Sequence, residues 1–151
     1  MVIDTDTAKR DTLLVALNAA PLDRLRLMKT AFLSWHRAGR PKSGPFRFEP
    51  YLYGPCAFDL YGALNGLLAR RLVARAPSAI DRWGDYYLTD AGRIEAARAA
   101  RRLGDRAASR LREIAAWTSK QPFRFLLEKV YSEAPDFATK SVLRREGAAV
   151  R

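Results

Sequence analysis

The chain has 151 residues, 48% of them hydrophobic, and its 27 Lys and Arg against 16 Asp and Glu give a formal charge of +11. That length allows one domain with a real core but not two, so a single domain over 1–151 is expected, ending in a basic tail from about 142. One cysteine excludes an internal disulfide and a Cys-based zinc site, and no apolar run suggests a leader or a membrane span.

A cytoplasmic protein with no metal, no cofactor and no membrane association is therefore expected. The basic excess is mostly arginine, 21 Arg against 6 Lys, a bias that genome composition produces as readily as a site does. Such a surface attracts polyanions by counterion release and suits partners with acidic faces equally well.

Asp4 to Thr7 supply helix caps before Leu13, Leu14 and Leu17, which predicts a helix over Ala8 to Ala19 with one buried face. Pro21 ends it. Asp23 caps a second helix whose Leu25, Met28, Phe32 and Trp35 recur at spacings of three and four. Residues 37–45 carry the turn formers and charge of an exposed loop. Phe46 to Pro55, Phe-Arg-Phe-Glu-Pro-Tyr-Leu-Tyr-Gly-Pro, reads as one extended segment delivering the chain to a third helix, Ala57 to Arg71, with Leu60, Leu64, Leu67 and Leu68 on its buried side. Leu72-Val73 and Tyr86 to Leu88 predict a hairpin with a long tip. Thr89 caps a long helix running from Ile94 toward Trp117, in which Gly104 marks a kink or break. Pro122 starts a last helix holding Phe123, Leu126, Leu127 and Val130. From Ser141 the chain reads as a short helix or a frayed basic tail.

This order predicts a mainly α fold with a small β ribbon, a winged helix-turn-helix with additional C-terminal helices. At Phe46-x-Phe-x-Pro-Tyr-x-Tyr-Gly-Pro55 the chain resembles the bacterial winged-helix-like YwgA-type proteins and, more distantly, the Panacea antitoxin domain. Arg24 to Leu33, Tyr87-Leu-Thr-x-x-Gly92, and Leu127-x-x-Val-Tyr131 with Pro135-x-Phe-x-x-x-Ser141 resemble further segments of those families, so the likeness spans roughly residues 10 to 145. Met28 stands where that pattern has Gln, and Cys56-Ala57 where it has Tyr-Ser. The resemblance implies a bacterial or phage setting; through the antitoxin relatives it also implies a protein partner.

Two groups of candidate binding residues emerge. Arg98, Arg102, Arg106 and Arg110 fall at successive i, i+4 positions with Arg101 beside them, a ridge suited to a phosphate backbone, and Arg75, Arg82 and Trp83 are expected near the tip of the hairpin, the wing. The ordinary alternative for the ridge is the solvated face of a surface helix. Tyr51, Tyr53 and Asn65 form the second group, a candidate partner surface, while the ordinary role of the Tyr-x-Tyr-Gly-Pro box is to shape a turn before the third helix.

Catalysis has little to stand on. His36 ends a helix with no evident acid partner. Cys56, ahead of a helix N-terminus where the dipole lowers a thiol pKa, is the only nucleophile of note. No phosphate loop, dinucleotide fingerprint or metalloprotease motif is present. The expected function is therefore non-catalytic binding of nucleic acid, chiefly duplex DNA with low sequence selectivity, in a regulatory, defence or phage system. The alternative is a protein-interaction module, antitoxin-like or a subunit of a larger complex, acting through the tyrosine box and the helix after it.

Overall fold

The computed structural model describes residues 4–77 and 84–142. Six helices, α1 Thr5–Ala19, α2 Arg24–Arg37, α3 Phe58–Ala69, α4 Asp90–Leu103, α5 Asp105–Lys120 and α6 Phe123–Glu133, carry the structure, and a 3-10 turn covers Pro135–Phe137. Two antiparallel ribbons, β1 Glu49–Tyr51 with β2 Gly54–Cys56 and β3 Val73–Ala76 with β4 Asp85–Leu88, complete it. The fold is thus mainly helical with small two-stranded sheets. No helix among the described residues is long and apolar enough to cross a membrane.

α1 is the axis of the bundle. Asp4 caps it by accepting from the Thr7 N–H, so it begins at Thr5, three residues earlier than the apolar pattern suggests. Every residue from Asp11 to Leu17 is buried, because α2, α3, α4, α5 and β4 all pack around this helix. α2 begins where expected, with Asp23 accepting from the Arg26 N–H. Thr30 of α2 and Thr118 of α5, both fully buried, join hydroxyls at 2.7 Å, and the hydroxyl that accepts donates in turn to a backbone carbonyl of its own helix, so neither is stranded in the core.

Two expectations from the sequence need correction, and one is made definite. The segment from Phe46 to Pro55 is not one strand: it folds back at Leu52-Tyr53 into a hairpin, with Tyr51 opposite Gly54 and Pro50 opposite Pro55. Tyr51 and Gly54 flank the two-residue turn and form the hydrogen-bonded pair. The two prolines then fall on the next pair, which needs no N–H, and Gly54 takes the positive φ of 86° that closes the turn. The kink or break expected at Gly104 is a break that leaves two helices, because Gly104 lies at φ 91°, ψ 154°, a conformation open essentially to glycine alone. Finally, Ser141 is not part of a frayed tail. It is buried and hydrogen-bonds the Tyr131 hydroxyl, while the Val142 N–H donates to the Leu52 carbonyl at the hairpin turn.

One feature without a sequence signal is the bridge between Leu22, in the α1–α2 connection, and Tyr86 of β4. Their backbones exchange two hydrogen bonds, of 3.1 and 2.8 Å. The β3–β4 ribbon is thereby tied to the front of the bundle. Gly92 secures its other end, since a Cβ there would lie 1.9 Å from the Leu72 carbonyl oxygen.

Candidate functional site

A pocket of about 600 Å³ opens between the β1–β2 hairpin, the first turns of α2 and α6, and Tyr61 of α3. Local sequence dictates how each element arrives. Asp23 starts α2 so that Arg24, Leu25, Met28 and Lys29 line one wall. Pro122 starts α6 so that Phe123 and Arg124 line another, and the Gly54 turn projects Tyr51, Leu52 and Tyr53 over the mouth. Tyr53 meets Phe123 edge to face at 5.9 Å, and Tyr51 meets Phe58 in the same manner at 5.1 Å. Tyr51, Leu52, Tyr53 and Phe58 are nevertheless all substantially exposed, so an apolar rim faces solvent around the opening.

The floor is polar. Lys29 is buried and its ammonium donates to the Pro55 carbonyl at 2.9 Å; burial pushes it down to about 8, and the neighbouring Cys56 sulfur opposes that shift. Burial raises the Cys56 thiol above its ordinary range, against its hydrogen bond with Tyr61 and the nearby Lys29 charge. Cys56 ends β2 in a desolvated position, so burial works against activation by the helix dipole. Tyr61 is pushed up to about 12, first by burial and then by Cys56, and the Arg24 guanidinium lies 5.4 Å from its ring centre. At neutral pH the floor therefore holds a protonated thiol, a neutral phenol and a buried amine that is still largely protonated.

Met28 and Ala57, two of the departures from the resembled pattern, also meet here. The Met28 sulfur accepts the Ala57 N–H at 3.2 Å, and α3 starts at Ala57 with no side-chain cap. A thioether is a weak acceptor, so this buried N–H is satisfied by a weak bond.

Tyr51 and Tyr53 thus share one site. Asn65 is exposed on α3 one turn beyond Tyr61 and does not line the pocket. The arginine ridge is not continuous, because Arg98, Arg101 and Arg102 belong to α4 while Arg106 and Arg110 lie beyond the Gly104 break on α5. Within α4, Arg102 is held by Asp11 and Glu95, and Arg98 pairs with Glu95 at 3.2 Å. Arg101 and Arg106 are exposed, and Arg110 is half-buried. Arg75 is exposed on β3 opposite Tyr86, within the ribbon and not at its tip. Arg82 and Trp83 lie outside the described residues. His36 stacks on Phe32 with ring centres 5.6 Å apart, and its Nδ1 accepts from Arg40 Nε at 3.0 Å; Arg40 in turn pairs with Asp136. Among the described residues no three His, Cys, Asp or Glu side chains gather as a metal site.

The sequence reading missed Lys29, Arg24 and Phe123 as pocket residues. A lysine on the apolar side of an amphipathic helix, one position after Met28, was the available signal. No protein-family model, curated protein or solved structure matches this chain.

Proposed function

We infer that this chain is a binding protein of winged-helix plan that holds a protein partner at the β1–β2 hairpin, without chemistry of its own. The observation that carries this reading is the exposed apolar rim of Tyr51, Leu52, Tyr53 and Phe58 around a well-formed pocket. Large aromatic side chains left in water beside a concavity are the anchors that interfaces use, since each buries much area at little entropic cost. The helix, bridge, helix, helix, ribbon order supports the winged-helix plan, with Leu22 as its short first strand and the hairpin as an insertion before α3. The raised thiol pKa at Cys56 favours binding over nucleophilic catalysis. An antitoxin-like role or a place in a larger complex accords with this surface.

The test is co-purification of the tagged full-length chain from its native cells after nuclease treatment. A stoichiometric partner, lost from the Tyr51→Ala/Tyr53→Ala variant, is expected. Equal retention by the variant, or loss of the partner on nuclease treatment, would refute the reading.

A second reading, binding of duplex DNA with low sequence selectivity, is favoured by the net charge of +11 and by the exposed Arg75, Arg101 and Arg106. It requires affinity for duplex DNA that falls steeply with salt and weakens when these three arginines are replaced together. Absence of binding at low ionic strength would eliminate it.

A further inference from the structure

The floor of the pocket behind the hairpin holds a buried cation, Lys29, that no ion pair among the described residues neutralises. Lys29 is 2% exposed, and its ammonium donates to one acceptor, the Pro55 carbonyl oxygen. An ammonium carries three N–H donors, so two remain. None of the ion pairs among the described residues includes Lys29, and the pocket lining contains no Asp or Glu. Arg124 stands on the same lining and adds to the positive charge. Arg124 pairs with Glu128, one turn along α6, in an exposed contact at 3.6 Å that water screens. A buried cation with spare donors is costly unless an anion meets it; Glu49 acts on the neighbouring Cys56 but forms no ion pair with Lys29, so an anion entering the pocket has donors to meet.

The remaining walls are apolar: Leu25, Met28, Tyr53 and Phe123 surround the floor. We propose that the pocket takes an acidic peptide segment of a protein partner, a carboxylate meeting Lys29 and an adjacent aromatic or aliphatic side chain covered by Tyr53 and Phe123. A small carboxylic acid fits the floor but leaves Tyr51, Leu52 and Phe58 bare, whereas an extended segment leaving the pocket covers them. This proposal rests on the reading of the hairpin as a partner surface and specifies the chemistry of what it holds.

The experiment is selection of displayed random ten-residue peptides on the intact chain. Enrichment of Asp or Glu next to Phe, Trp or Leu is expected. A synthetic copy of an enriched peptide should weaken at least tenfold when its acid is replaced by the amide, and by a similar factor against Lys29→Met. Because Lys29 is buried, the variant's fold is checked by circular dichroism, and Arg124→Gln on the exposed rim serves as a second variant with a smaller loss. Enriched peptides without an acid, or affinity indifferent to the amide replacement, would overturn the acidic specificity while leaving the partner surface intact. Failure to enrich any peptide above the Tyr51→Ala/Tyr53→Ala chain would overturn both. Peptide binding displaced from the pocket by a twelve-residue oligothymidylate, with no acidic preference, would assign the site to nucleic acid instead.

Discussion

Arg102 forks onto Asp11, with Nε 2.8 Å from one carboxylate oxygen and the second nitrogen 2.9 Å from the other, and so fastens α4 to the middle of α1. Asp11 is 1% exposed, which makes this pair a structural requirement. Replacing Arg102 by Gln strands a carboxylate in the core, and a loss of about 3 kcal/mol in unfolding free energy is expected. The double variant Asp11→Asn/Arg102→Gln should recover more than half of it. Urea titrations of the four chains measure the coupling directly, and additive losses would contradict the pairing.

At Gly104 the backbone alone carries the cost of substitution. A Cβ there meets nothing within 4 Å, yet the φ of 91° is one that side-chain-bearing residues avoid. Gly104→Ala should therefore destabilise by roughly 1–3 kcal/mol from strain alone, with the midpoint of denaturation lowered and its slope unchanged. A neutral substitution would show that α4 and α5 fuse into one helix at no cost.

Lys29 makes a pH signature. Its folded pKa of about 8 lies below its ordinary 10.5, so between those values the unfolded chain binds more protons and stability rises with pH. Below pH 8 the penalty of the buried charge is fully present; above 10.5 it is gone. Cys56 and Tyr61, whose values are raised, work in the opposite direction over the alkaline range, so the contribution is isolated by comparison with Lys29→Met. The stability advantage of that variant should shrink by up to about 3 kcal/mol from pH 8 to 10.5. A constant difference across that range would exclude a buried, charged Lys29.

Tyr51 and Tyr53 are expected to matter for binding and hardly for folding. Each is 43% exposed, and the ring contact of Tyr53 with Phe123 accounts for only about 1 kcal/mol. Thermal denaturation of Tyr51→Ala and Tyr53→Ala should shift by a few degrees at most. A collapse in stability would mean that the box serves the turn and nothing else.

Caps and periodicity made most helices readable before any coordinates. Asp23, Thr89 and Pro122 each open a helix where the pattern placed it, because capping is a local hydrogen-bonding matter. What local pattern does not carry is the burial of Asp11: a carboxylate beside a leucine run looks like a boundary with water, and only Arg102, 91 positions later, makes its burial tolerable. The i, i+4 count that joined Arg98 to Arg110 ran across Gly104, read as a kink or break, and the φ of 91° there makes it a break that divides the ridge. The candidate site was half legible. Its aromatic rim is contiguous in sequence at residues 51–53, whereas Lys29, Tyr61 and Phe123 reach it from three other helices, and no one-dimensional spacing links them.

The pocket takes its walls from residues 24–29, 51–56, 61 and 123–124, and the hairpin turn is tied through Leu52 to Val142. During synthesis the first five helices leave the ribosome before α6. A nascent chain ending within α5 therefore has three of the four walls and no closed pocket. A ligand spanning Lys29 and Arg124 would therefore clamp α6 onto α2. In hydrogen exchange, the amides of α6 are the ones such a ligand would protect, whereas those of α1, already enclosed on every side, would hardly respond.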